Sequence, residues 1–82
     1  MARTRLVEVY VEVKSVKGIG MILAFIKSNE MEITNLEISK SRNPEDNAGL
    51  LITIKQQERM EHDTLISMIA SVDEVTMVEE IM

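Results

Sequence analysis

The sequence has no cysteine and no tryptophan, one proline, one histidine, one tyrosine, one phenylalanine and three glycines in 82 residues. Without cysteine there is neither a disulfide framework nor a thiolate metal site, which fits a reducing compartment and sets a cytoplasmic location as the expectation. A single histidine, His62, cannot anchor a multi-histidine centre; with Glu58 and Glu61 beside it, it reads as part of a solvated helix start, and no metal or cofactor is expected. Two aromatics cannot build a base-stacking sheet, and a net charge of −5 argues against a nucleic-acid backbone as partner. The longest apolar run, residues 19–26, is broken by Gly20 and falls well short of the roughly 20 residues that cross a bilayer. Residues 1–4 have no apolar stretch behind them, so they indicate no signal peptide and read as a flexible or cloning-derived start to a single domain, 1–82. No serine has a base partner in sequence, and the adjacent acids Glu45-Asp46 and Glu79-Glu80 read as solvated edges. No catalytic residue is assigned, and an enzyme is not expected.

What is present is periodicity. Ile19, Ile22, Leu23 and Ile26 recur at i, i+3, i+4 and i+7, the spacing that lines one face of a helix. That helix is expected to begin between 17 and 20, after a glycine-bearing loop over 14–20, and to stop at Asn29, a residue tolerant of the left-handed conformation. Before it, residues 6–13 alternate with period two, Val7, Val9, Val11 and Val13 on one side and Leu6, Glu8, Tyr10 and Glu12 on the other. After it, Met31 and Ile33 share one parity and Leu36 and Ile38 the other, which predicts a bulge near Thr34 and Asn35. The stretch RNPEDNA, 42–48, is a hairpin loop, and the run at 50–54 suits a central strand with both faces at least partly covered. A second helix from about Glu61 buries Leu65, Ile66, Ile69 and Val72, and a last strand, 75–81, follows a tight join at Asp73-Glu74. Residues 64–81 also align without gaps on 21–38, 43 positions earlier; Ile26/Ile69, Ser28/Ser71, Glu37/Glu80 and Ile38/Ile81 coincide, which suggests two matching halves.

The order βαββαβ predicts an α+β, ferredoxin-like sandwich: a four-stranded antiparallel sheet in order 4-1-3-2, with both helices on one face. The other face is then open, and Leu6 and Tyr10 are its candidate interface residues. The topology gathers Lys14, Ser15, Lys17, Gly18, Ser39, Lys40 and Arg42 at one end of the sheet, where a helix N-terminus with adjacent cations can hold a carboxylate or phosphate. Asp73 and Glu74 fall at the same end and offset that charge. The candidate ligand residues are Lys14, Ser15, Lys17 and Gly18, with Asn35 and Lys40 from the second strand and its continuation.

This element order, the glycine-bearing first loop and the EMEITNLEIS strand together resemble the ACT domain, a small-molecule-binding regulatory module. The family's Asp-x-Pro-Gly motif falls on Lys14-Ser15-Val16-Lys17, or, shifted by one, places its glycine at Gly18; its aspartate and proline are missing. Its Gly-x-Asn-Ile reads Glu30-Met31-Glu32-Ile33, keeping the isoleucine. The resemblance implies sheets that pair and a ligand, often an amino acid, held at their interface near the first loop. The tail MEHDTLISMIASVDEVTMVEEI is similar to the cytoplasmic C-terminal domain of MgtC/SapB-family membrane proteins, with Glu74 where such tails usually place glycine. That likeness implies a regulatory or assembly module, a homodimer by expectation, belonging to a larger cell-membrane protein linked to magnesium homeostasis or virulence. A sensor of amino acids or small anions is the alternative.

Overall fold

The computed structural model describes residues 5–39, 48–56 and 62–81. They form β1 (Arg5–Val13), α1 (Val16–Ser28), β2 (Glu32–Ser39), β3 (Ala48–Gln56), α2 (His62–Ala70) and β4 (Val75–Glu80). The strands make one antiparallel sheet in the order β2-β3-β1-β4, as the βαββαβ pattern predicts.

Alternation in β1 sets the two faces. Val7, Val9, Val11 and Val13 are fully buried and lie opposite Ile54, Ile52, Leu50 and Ala48 of β3. Ile22 and Ile26 of α1 and Leu65 and Ile69 of α2 join the same core, so both helices cover that face. Ile66 and Val72 of the second stripe are partly buried against it. A fully buried aliphatic side chain contributes on the order of 1.5–3 kcal/mol, and among the described residues eleven large side chains reach that state. β3 is an inner strand, which is why it tolerates Leu50, Leu51 and Ile52 in succession.

The parity break in β2 is a bulge: Ile33 pairs with Ile54 and Asn35 with Thr53, and Thr34 stands outside the register. This extra residue keeps Ile33 on the same side as Leu36 and Ile38, which lie opposite buried Ile52 and Leu50. β4 also shifts register, between Met77 opposite Glu12 and Val75 opposite Val13.

Three expectations need correction. First, α1 starts at Val16, so Gly18 and Gly20 are helical and the loop is two residues long. Gly18 is there because a β-carbon at that position would lie 2.8 Å from Val13 Cβ and 3.0 Å from Glu74 Cβ. Second, Asn29 is not the left-handed residue; Glu30 is, with φ 60°. Glu30 N donates to Lys27 O and Met31 N to Ile26 O, the paired bonds of a Schellman closure, and the Asn29 side chain donates to Phe25 O at 2.9 Å. Third, the matching halves hold in the helices but slip in the strands. Ile26 and Ile69 are both fully buried, and Ser28 and Ser71 each donate to the carbonyl three residues back. Glu37, however, lies opposite Leu51 and so shares a face with Tyr10 and Glu79, whereas Glu80 lies opposite buried Val9.

The hairpin loop at 42–48, apart from Ala48 in β3, lies outside the described residues, as do residues 1–4, Lys40 and Glu61. Among the described residues no helix is long and apolar enough to cross a membrane.

Candidate functional site

The C-terminal end of β1, the first turn of α1 and the join before β4 meet at one end of the sheet, where the sequence places the candidate ligand site. Lys14 N donates to Glu74 O at 2.8 Å, in effect extending the β1–β4 pairing past the strand ends. Ser15 is the N-cap of α1, with extended angles (φ −154°, ψ 168°), but its hydroxyl caps no amide. It donates instead to Glu74 Oε1 at 2.6 Å. The first turn of α1 has no acidic residue of its own. Glu74 therefore brings a carboxylate from another element to the positive end of the helix, where negative charge is favoured.

Glu74 adopts φ 79°, inside a turn in which Val75 N donates to Val72 O at 3.2 Å. Its place in that turn is one that type II turns normally give to glycine. The backbone cost of a non-glycine residue here is set against the hydrogen bond that its carboxylate accepts from Ser15.

The predicted ligand residues divide accordingly. Lys14, Ser15, Lys17 and Gly18 do come together at this end; the two lysines are exposed, Ser15 is half-buried and held by Glu74, and Gly18 is buried under Val13 and Glu74. Asn35 does not join them: it is exposed in β2, opposite Thr53 on the open face, four residues before the strand ends at Ser39. At about 3.3 Å per residue that is roughly 13 Å along the strand. Lys40 lies outside the described residues. Sequence reasoning placed Glu74 at this end as an offsetting charge and missed it as the partner of Ser15. The available signal was a glutamate in a tight join where the similar tails carry glycine.

On the open sheet face, Leu6 is 62% exposed, but Tyr10 is buried, at 9%, and is not available as an interface side chain in the way the alternation implies. Its ring leans over Gly49, whose missing side chain makes the room, and its hydroxyl donates to Glu12 at 2.7 Å. Glu12 is itself 2% exposed. Among the described residues no group of three His, Cys, Asp or Glu side chains is arranged to hold a metal ion.

This architecture has a counterpart among solved structures. The chain superposes on the ACT domain of GTP pyrophosphokinase from Chlorobium tepidum with a TM-score of 0.68, over 95% of this chain and 86% of that one, at 14% identity. The fold is ACT-like. At that identity the ACT likeness describes the fold and leaves activity to be argued from the residues. A second structure, the Bacillus subtilis YXEP protein, a dinuclear metal-binding peptidase of the M20 family, is covered over 26% of its length by 98% of this chain, with TM-score 0.46 and 14% identity, and carries no argument. No protein-family model and no curated protein matches the sequence.

Proposed function

We propose that this ACT-like chain is a non-catalytic regulatory or assembly domain that works by self-association through its sheet. The observation that carries the reading is the exposed edge at β2. Among the described residues β2 pairs with β3 alone, and its end carries Ile38, 62% exposed on the helix-covered side of the sheet. The bulge at Thr34 bends the first half of the strand and leaves 35–39 as a regular edge, a template on which a second strand can form backbone hydrogen bonds. On α1, the flank turned away from α2 carries Val16, Ile19 and Leu23, at i, i+3 and i+7, so the edge is bordered by apolar side chains. Sedimentation equilibrium over a wide concentration range should give a dimer, and Ile38→Lys should weaken it by roughly tenfold or more, about 1.4 kcal/mol, with the circular dichroism spectrum of the folded chain unchanged. A chain that remains monomeric throughout overturns the reading.

The finer reading, a soluble domain of a larger MgtC/SapB-like membrane protein with a part in magnesium homeostasis, is supported by the sequence of the tail alone. The alternative, a sensor of an amino acid or small anion, is supported by exposed Lys14 and Lys17 beside the first turn of α1. It requires a ligand to share that turn with the Glu74 carboxylate. Amide signals of Val16 and Lys17 that stay fixed during titration with phosphate and with free amino acids would remove it.

A further inference from the structure

The edge of β2 is patterned symmetrically about one residue. In 35–39, Asn35, Glu37 and Ser39 lie on the open face of the sheet, and Leu36 and Ile38 lie on the helix-covered side. Outward from Glu37, each direction gives an aliphatic residue and then an uncharged polar one. A strand of that pattern can pair with an antiparallel copy of itself and keep apolar side chains opposite apolar ones.

Two-fold symmetry restricts how it can do so. An axis perpendicular to the sheet leaves each side chain on its own side, so the two strands run antiparallel and the axis passes between one residue and its own copy. An axis lying in the sheet, along the strands, turns one copy over, and neither Leu36 nor Ile38 then meets an apolar counterpart on its side. The perpendicular axis leaves few registers. Centred on Leu36 or any earlier residue, the pairing runs across the bulge at Thr34, where the ladder is broken. Centred on Ile38, it keeps only 37–39 of the described strand. Centred on Glu37, it uses all of 35–39, and Leu36 of each copy stands opposite Ile38 of the other, with Asn35 opposite Ser39. Ile38, 62% exposed in the single chain, gains an aliphatic neighbour.

This register has one cost. It sets two exposed Glu37 carboxylates directly opposite each other on the open face, where like charges weaken a strand pair. The ladder supplies no basic neighbour: Leu51 lies opposite Glu37 in β3, between Gly49 opposite Ser39 and Thr53 opposite Asn35.

We propose that two copies of this chain pair through 35–39 of β2 with Glu37 beside Glu37 of the second copy at the two-fold axis, and that this pair of carboxylates acts as a brake on the association. The proposal rests on the sheet-edge reading and adds to it the residue at the axis and its effect.

Self-paired strand residues have Cα atoms about 4.5–5.5 Å apart, within the roughly 7 Å that a disulfide can span. The chain has no cysteine of its own, so Glu37→Cys should oxidise to a linked dimer. Ile38→Cys should not, because in this register the two copies of position 38 are out of step by two residues, roughly 8 Å apart. Glu37→Gln should tighten association by up to about fivefold at low salt, read by sedimentation equilibrium. An equal mixture of the unaltered chain and Glu37→Lys, one of them isotope-labelled, should show the mixed dimer above its random share in native mass spectrometry, because only the mixed pair sets opposite charges at the axis. A dimer in which Ile38→Cys links in preference to Glu37→Cys, and in which the mixed species keeps its random share, overturns the register and leaves the sheet-edge reading standing. A chain that stays monomeric at every concentration, with no linking at either position, overturns both.

Discussion

Two glutamates, Glu30 and Glu74, hold backbone angles that side chains with a β-carbon avoid, at φ 60° and 79°, and they do so in different company. Glu30 closes α1, where the bonds from Glu30 N and Met31 N are backbone bonds that any residue can make, and the side chain is exposed. Nothing among the described contacts offsets its conformational cost, so Glu30→Gly should raise stability by about 0.5–1 kcal/mol, read as a shift in the urea midpoint. Glu74 is held from both ends, its carbonyl by Lys14 N and its carboxylate by Ser15. Removing the side chain relieves the backbone but frees the loop. Ser15→Ala should therefore cost about 1 kcal/mol in the unaltered chain and close to nothing in a Glu74→Gly background, the signature of a coupled pair. An equal cost in both backgrounds would show that Ser15 acts on α1 as an ordinary cap, which its geometry denies.

The elements show how much of the fold the sequence carries and where it stops. Alternation in β1, the helical stripes and the opposed parities in β2 each follow from a single local period, so the helix-side core and the bulge were legible from it and the strand order from the βαββαβ succession, whereas the burial of Tyr10 and Glu12 was not. The glycines were not, because glycine has two uses that look alike in sequence: it permits unusual angles, and it leaves room. Both Gly18 and Gly20 suggest a loop, yet neither has positive φ. Gly18 is required by the approach of β1 and the β4 join, whereas Gly20 is exposed and meets nothing within 4 Å. Alanine should thus have opposite effects at positions two residues apart. Gly18→Ala should destabilise by about 1–3 kcal/mol through overpacking, and Gly20→Ala should stabilise by up to about 1 kcal/mol through helix propensity. Thermal melting of the two variants side by side measures the difference, and the same sign for both would refute this account of α1. The Ser15–Glu74 bond was hidden for a similar reason: 59 residues separate the partners, and topology alone places them at the same end without saying which side chains meet.

At the scale of the molecule, charge and surface apolarity are divided between layers. The open sheet face collects glutamates, residues 64–72 carry no charge, and the β2 edge carries an exposed isoleucine at position 38. Tyr10 shows why this division could not be read from alternation, which assigns a residue to a side of the sheet but not to solvent. On the side where Leu6 is exposed, the tyrosine is folded over Gly49 and bonded to a buried glutamate. Association through the β2 edge brings exposed Glu32 and Glu37 of both copies to the contact, and with them two bodies of charge −5. The contact itself has little to lose to salt, whereas the repulsion extends about 30 Å at 0.01 M and about 8 Å at physiological ionic strength. The dissociation constant should therefore fall as sodium chloride is raised from about 0.01 M to about 0.15 M, then level off once the screening length is shorter than the separation of the outlying charges. Sedimentation at a series of salt concentrations gives the slope directly. A dissociation constant that rises with salt would mean that opposite charges meet in the interface, which would direct attention to the glutamates of the open face and the lysines at the ends of α1 as partners across it.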